Sequence, residues 1–303
     1  MKPAIILKNQ RLCVEIARPS TAYSGSRFDW TGFITQITLD EKDTFCVKEQ
    51  IGPNRSSGGI GFCNEFGIDR PIGYEDTSVG NYFPKIGVGM LKKSSEEPYD
   101  FFSPYEISPL SYTDKILADE KGQLVSYEVS SMIQEGPYHI HLKKTISLHE
   151  DRLSIDYTLN NSGEKTFETN EYCHNFIGIN GRHMEDGYIL HIPAATKVEK
   201  VAGEFEVLIK PNSSASLTQI SWAKKPEVDY YALLESSPDS SIAKWTLYNE
   251  KDGVGLRDFS DFPVSKFALW GHAHVCSPEL FIELSVAPGK EISWRREYQF
   301  FRS

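Results

Sequence analysis

Apolar and polar positions alternate with a period of two along much of this 303-residue chain, and a helical period is almost absent. Leu12, Val14 and Ile16 alternate with Cys13 and Glu15, and the same parity puts Phe33, Ile37 and Leu39 on one face of a second run. From Tyr138 to His149, Tyr138, Ile140, Leu142, Ile146 and Leu148 point one way. His139, His141, Lys143, Thr145 and His149 point the other. Leu153, Ile155, Tyr157 and Leu159 repeat the pattern. Successive side chains of a strand leave opposite faces, so these runs predict half-buried strands.

The connections read as tight turns. Glu150-Asp151, Asn160 to Glu164, Glu250 to Gly253 and Pro288-Gly289-Lys290 each separate two such runs with residues that tolerate unusual backbone angles. Strands at close spacing without interposed helices predict an all-β protein, a large antiparallel β-sandwich of roughly twelve to twenty strands. No composition shift marks a boundary. Residues 1–303 are read as one domain, with Gly52 to Gly61 a loop and Gly67 to Pro84 a polar surface excursion.

Composition narrows the function. The net charge of −10 gives no basic footprint for nucleic acid and disfavours an anionic membrane surface. The N-terminal apolar run, Ala4 to Leu7, is too short for a signal-peptide core, and no stretch approaches the roughly 20 apolar residues of a membrane helix. Five scattered cysteines without a Cys-x-x-Cys fit reduced thiols, so a cytoplasmic location is expected.

Three segments carry candidate chemistry. In Thr169 to Ile177, the alternation puts Asn170, Tyr172, His174 and Phe176 on one face and Glu171, Cys173 and Asn175 on the other. A histidine among aromatics suits a polyhydroxylated ligand, because rings pack on the apolar faces of a sugar while polar neighbours take its hydroxyls. The plainer reading is a half-buried histidine with one backbone partner.

In Phe267 to Glu283, Trp270, His272 and His274 share a face of an extended segment. Pro278 is expected to interrupt the strand and leave Glu279 at a strand entrance, with Phe281 and Glu283 facing away from the core. Either glutamate could instead be solvated. His272-x-His274 followed by Glu279 also has the spacing of a cupin metal motif, but Lys266 and Val286 stand where that pattern wants glycines. His139-x-His141 has no carboxylate near it in sequence. The reading kept is metal-free.

In Gly58 to Leu91, the glycines are not followed by a helical pattern, so a phosphate-binding loop is excluded. They allow tight turns or close backbone approach. Glu65 and Lys85 either line a site or pair with each other.

Taken together, Arg27-Phe28-Asp29-Trp30-Thr31-Gly32, the Gly59–Gly67 loop, the Asn170–Ile177 strand and Glu279 with Pro288-Gly289-Lys290-Glu291 resemble the aldose-1-epimerase, or galactose mutarotase-like, superfamily. The resemblance implies a carbohydrate site on one sheet face and a small-molecule sugar as substrate. It implies a histidine acting as general acid on the ring oxygen, matched by His174, and a glutamate acting as general base on the anomeric hydroxyl, matched by Glu279. Arg55, Glu65, Lys85, Tyr172, Trp270, His272 and Glu283 are the accompanying candidates for substrate binding. Asn54-Arg55 repeats an Asn-Arg pair of the family, whereas the Leu-His-Gly-Gly segment of galactose mutarotases has no counterpart. Opening a hemiacetal needs one acid and one base and calls for no cofactor. A carbohydrate-binding protein without catalysis, or a metal-dependent cupin-type enzyme, are the alternatives. If the acid–base reading holds, His174 and Glu279 should face each other across a sugar-sized cleft, with the His174 pKa held near or above about 6.5.

Overall fold

The alternating runs become strands of three antiparallel sheets. The computed structural model describes residues 4–50, 57–118, 125–193, 195–203, 207–211, 217–236 and 243–303. Within them lie twenty-three strands and one 3-10 turn, Ile179–Gly181. The first sheet runs, in spatial order, Ile5–Lys8, Leu12–Ala17, Phe33–Leu39, Phe62–Phe66, Phe167–Asn175, Val275–Val286, Lys266–His272, Tyr230–Ser236 and Ala195–Ala202, with Asp43–Thr44 attached to Phe33–Leu39. The second runs Val207–Pro211, Leu217–Trp222, Tyr188–Pro193, Trp245–Asn249, Val254–Asp258, Lys290–Arg302, Arg152–Asn161, Tyr138–His149, Val125–Glu135 and Ser111–Ala118. A small third sheet, Tyr82–Lys85, Gly89–Lys92 and Ile107–Pro109, arises where the sequence predicts the end of a surface excursion. The strand number exceeds the expected range because these pieces are too short to show a period.

The two large sheets share one core. Ile16, Ile37, Phe66 and Ile282 of the first lie in the same buried cluster as Leu148, Ile155, Leu256 and Phe300 of the second. Rings interlock across it: Phe62 on Tyr298 and Phe45 on Phe300, both at 4.8 Å between centroids. A separate buried cluster of Tyr23, Phe28, Phe33, Tyr74, Phe83 and Phe176 covers part of the other face of the first sheet.

That division corrects one expectation. Phe33 does not share a face with Ile37 and Leu39. Ile16 pairs with Ile34 and Glu15 with Gln36, so an extra residue bulges between them and reverses the alternation. Ile34, Ile37 and Leu39 enter the core between the sheets, and Phe33 joins the other cluster. Pro278 likewise does not break its strand, which runs from Val275 to Val286. The neighbouring Asn175 gives its backbone N–H to Ser277 Oγ at 2.9 Å and its side-chain amide to the Pro278 carbonyl at 2.6 Å, which closes the ladder around the missing donor.

The core also holds a chain of charges. Lys144 falls on the inward face of the Tyr138–His149 strand, at 1% exposure of its side chain. Its ammonium donates to the Thr31 carbonyl at 2.9 Å and to Asn64 Oδ1 at 2.7 Å, and lies 2.5 Å from Asp29 Oδ2 as a charge contact. Asn64 donates in turn to Glu171, whose carboxylate lies 2.6 Å from Arg296 of the second sheet, with both side chains fully buried. Removing one partner of such a pair strands the other charge in the core. Arg296→Ala is therefore expected to destabilise the fold by about 3–5 kcal/mol. Urea unfolding measures this, and the Glu171→Gln, Arg296→Met double variant should recover much of the loss.

Candidate functional site

On the face of the first sheet turned away from the main core, the Phe167–Asn175 strand lies between Phe62–Phe66 and Val275–Val286. Tyr172 is opposite Glu65 on one side and Phe281 on the other. The same register brings Ile177 opposite Cys276, so His174 falls beside Glu279. Asn170, Tyr172, His174 and Phe176 do share the face read from their spacing.

His174 and Glu279 are brought together, but as neighbours and not across a cleft. His174 Nε2 lies 3.3 Å from Glu279 Oε1, and the two side chains are 4% and 5% exposed. The hydrogen-bonded path between them runs through Ser277, whose Oγ is 3.0 Å from His174 Nδ1 and 3.0 Å from Glu279 Oε1. Among the described residues, neither His174 Nε2 nor Glu279 Oε2 has a hydrogen-bond partner. Phe176 stacks on the imidazole at 3.9 Å, and Trp270 meets it edge-on at 5.0 Å. Gly59 makes room for this stack. A Cβ there would lie 2.2 Å from the Phe176 ring.

Burial decides the protonation of the pair. It pushes the Glu279 carboxyl up to about 8, overriding the Ser277 hydrogen bond and the positive field of Arg27. It pushes His174 well below 6.5, and the Arg27 charge adds to that. The expectation of a histidine at or above its ordinary value is overturned. At neutral pH the imidazole is uncharged and the carboxyl holds a proton, so their contact is not an ion pair.

A second group adjoins this one. Glu65, fully buried, accepts from Arg27 Nε at 2.8 Å and from the Tyr172 hydroxyl at 2.6 Å, both on Oε2. Its Oε1 faces the Lys85 ammonium at 3.6 Å and has no hydrogen bond. Lys85 reaches in from the third sheet and donates to the Tyr99 hydroxyl at 2.9 Å. Burial, followed by the opposing pull of Glu65 and the push of Arg27, leaves its pKa at about 8. Glu65 and Lys85 thus pair with each other and belong to the same polar group as Tyr172. Arg27 also donates to Tyr172 and to Ser57, and its guanidinium lies 4.6 Å from the ring centres of both Phe28 and Phe101.

Three candidates lie elsewhere. Glu283 is further along its strand, 46% exposed, and pairs with Arg70 at 3.4 Å. His272 ends its strand, 3.9 Å from Asp229. His274 sits in the following turn, with its Nε2 3.0 Å from the Lys48 carbonyl. The cupin spacing therefore does not converge, since Glu279 turns to Ser277 and His174 and not to these two imidazoles. Arg55 lies outside the described residues. Ser277, Arg27 and Tyr99 were not among the candidates. A serine inside a strand and an arginine in an irregular segment carry no periodic signal, although Arg27 opens the segment that resembles the family. A hollow of about 430 Å³ lined by Asn180, Arg182, His183, Asp186 and Asp252 contains no member of either group.

Between about pH 6.5 and 8, His174 is neutral in both the folded and unfolded chain, while Glu279 keeps its proton only when folded. The unfolded chain then binds fewer protons, so this group's contribution is full below the ordinary carboxylate range and is lost as pH rises through about 8. Its slope is at most about 1.4 kcal/mol per pH unit. Urea unfolding at several pH values should show wild-type stability falling more steeply over this window than that of Glu279→Gln.

No protein-family profile matches this chain, and no curated protein does. Solved structures match over its whole length. A galactose mutarotase-like protein from Clostridium acetobutylicum is 10% identical with a TM-score of 0.60, covering 99% of this chain and 95% of its own. A galactose mutarotase related enzyme from Lactobacillus acidophilus is 12% identical, with a TM-score of 0.57 over 98% and 97% of the two chains. An aldose epimerase homologue from C. elegans is 11% identical, with a TM-score of 0.54 over 100% and 99%. Among the described residues no helix is long and apolar enough to cross a membrane. The chain has the galactose mutarotase-like sandwich fold.

Proposed function

We propose that this protein is a carbohydrate-active enzyme of the aldose 1-epimerase kind, interconverting the anomers of a sugar by general acid–base catalysis at His174 and Glu279. The observation that carries the reading is the contact of the His174 imidazole with the Glu279 carboxyl on adjacent strands, beside Phe176 and Trp270, where burial favours the uncharged form of each. Their uncommitted atoms, Nε2 and Oε2, are one base and one acid.

The ring oxygen and the anomeric hydroxyl of a cyclic sugar share one carbon, so a catalyst needs its acid and base close together. Glu279 gives its proton to the ring oxygen as the bond from that oxygen to the anomeric carbon breaks. His174 Nε2 takes the proton of the anomeric hydroxyl, whose electrons form the carbonyl. Rotation about the adjacent carbon–carbon bond presents the other face, and closure returns both protons. These roles reverse those implied by the family resemblance, because burial sets the protons the other way. Tyr172, Glu65, Lys85 and Trp270 would take the hydroxyls and the apolar ring face. The small exposure of the pair means that the aromatic side chains around it must part for a sugar to enter. That enclosure favours a second reading, a sugar-binding protein that does not catalyse.

Saturation-transfer NMR across a panel of aldoses and sugar acids tests the proposal. His174→Ala and Glu279→Gln should each slow anomer exchange by about 10²–10⁴-fold while leaving the fold intact. The wild-type rate should stay level through neutral pH and fall as pH rises through about 8, where Glu279 loses its proton. A rate that instead falls above about 6.5 would return the acid role to histidine. Binding without exchange in the wild type would leave the second reading.

A further inference from the structure

We infer that Ser277 is a positioning residue that fixes His174 in the tautomer protonated on Nδ1, leaving Nε2 bare toward the substrate. The inference rests on the acid–base reading for its consequence, but its physical content stands on the hydrogen bonds alone.

A serine hydroxyl has one proton to give and two lone pairs to fill. Ser277 is fully buried, so protein groups must satisfy it. The backbone N–H of Asn175 occupies one lone pair at 2.9 Å. The hydroxyl proton goes to Glu279 Oε1 at 3.0 Å. One lone pair remains, and His174 Nδ1 lies 3.0 Å from the oxygen. While the Glu279 proton sits on Oε2, the oxygen that no group among the described residues bonds, only a protonated Nδ1 can use it. An Nδ1 without hydrogen needs the Glu279 proton on Oε1, given back to Oγ, which is the state the pair reaches only after proton transfer. The neutral imidazole then carries no hydrogen on Nε2, which is the state a base requires.

The hydroxyl is itself held from the far side. Asn175, which donates to it, accepts from the Tyr298 hydroxyl of the opposite sheet at 3.1 Å and donates to the Pro278 carbonyl. Ser277 also couples the acid to the base. Once Nε2 has gained a proton and Oε2 has lost one, Nδ1 can pass its proton to Oγ while Oγ passes its own to Oε1. The pair returns to an uncharged state with no net change in protons, and no buried ion pair persists.

The test is the ¹⁵N shifts of the His174 ring, read through long-range couplings to its carbon-bound protons at neutral pH. The wild type should show hydrogen on Nδ1 and none on Nε2. Ser277→Thr, which keeps the hydroxyl, should preserve that pattern, and Ser277→Ala should lose it to a mixture or to the Nε2–H form. With a sugar that the wild type turns over, Ser277→Ala should lower kcat by about tenfold to a hundredfold with little change in KM. A wild-type spectrum with hydrogen on Nε2, or a Ser277→Ala spectrum identical to wild type, overturns the inference. The wild-type spectrum decides by itself should Ser277→Ala fail to fold. If the tautomer behaves as described but no sugar is interconverted, the catalytic reading fails and the positioning role stands.

Discussion

The buried ion pair between Glu171 and Arg296 determines which side chains of the central strand face outward. The period of a strand is two, so a slip of one residue would carry Glu171 to the outer face and bring Tyr172 and His174 inward. Arg296 would then lose its hydrogen-bonded counter-charge in the core, a cost of several kcal/mol. The pair is further tied to Asn64, Lys144 and Asp29, and these belong to different strands and to the segment before them. A polar chain across the interior thus specifies register where hydrophobic packing alone would tolerate error. Replacing such a chain by apolar residues is often neutral or stabilising in other proteins, so its value here lies in specificity more than in net stability.

Exclusion of water on the outer face then sets the chemistry. His174 and Glu279 lie close enough to form an ion pair, yet charge separation requires desolvating both groups, and the nearest fixed charge, Arg27, disfavours the imidazolium. Glu65 neutralises much of that arginine, and its negative charge also opposes ionisation of Glu279. The same residues that look like sugar ligands in sequence therefore form the electrostatic surroundings of Glu279 and His174. Tyr172 links the groups, stacking on Phe281 on one side and bonding to Glu65 and Arg27 on the other.

The fold was legible because most long strands alternate cleanly, as from Tyr138 to Leu159. So was the face shared by Tyr172, His174 and Phe176. Legibility failed wherever tertiary structure overrides period. The bulge near Thr35 turned Phe33 away from Ile37, and Asn175 rescued a strand that Pro278 should have ended. Lys144 occupies an inward position made tolerable by two acceptors and the Asp29 carboxylate, all from other segments. Parity gives the face of a residue but not its distance along the strand, so it does not show that Glu283 meets Arg70 and His272 lies near Asp229. Ser277 illustrates the deeper limit, since its three hydrogen bonds come from Asn175, His174 and Glu279, two of them about a hundred residues away in sequence.

A neutral pair makes different demands on its enclosure than an ion pair does. Charges held at rest would need several hydrogen-bond donors and acceptors around them, and beyond Ser277 and Glu279 the imidazole is packed among the rings of Phe28, Tyr172, Phe176 and Trp270. These rings suit an uncharged carboxyl and an uncharged imidazole. Were a proton to pass from the carboxyl to the imidazole, charge would appear on both partners at once and with opposite sign, only about 3 Å apart. The low dielectric that forbids either charge alone strengthens the attraction between the two. The cost of reaching that state therefore depends on keeping the two groups in register, which returns the burden to the pairing of two strands and to the serine between them.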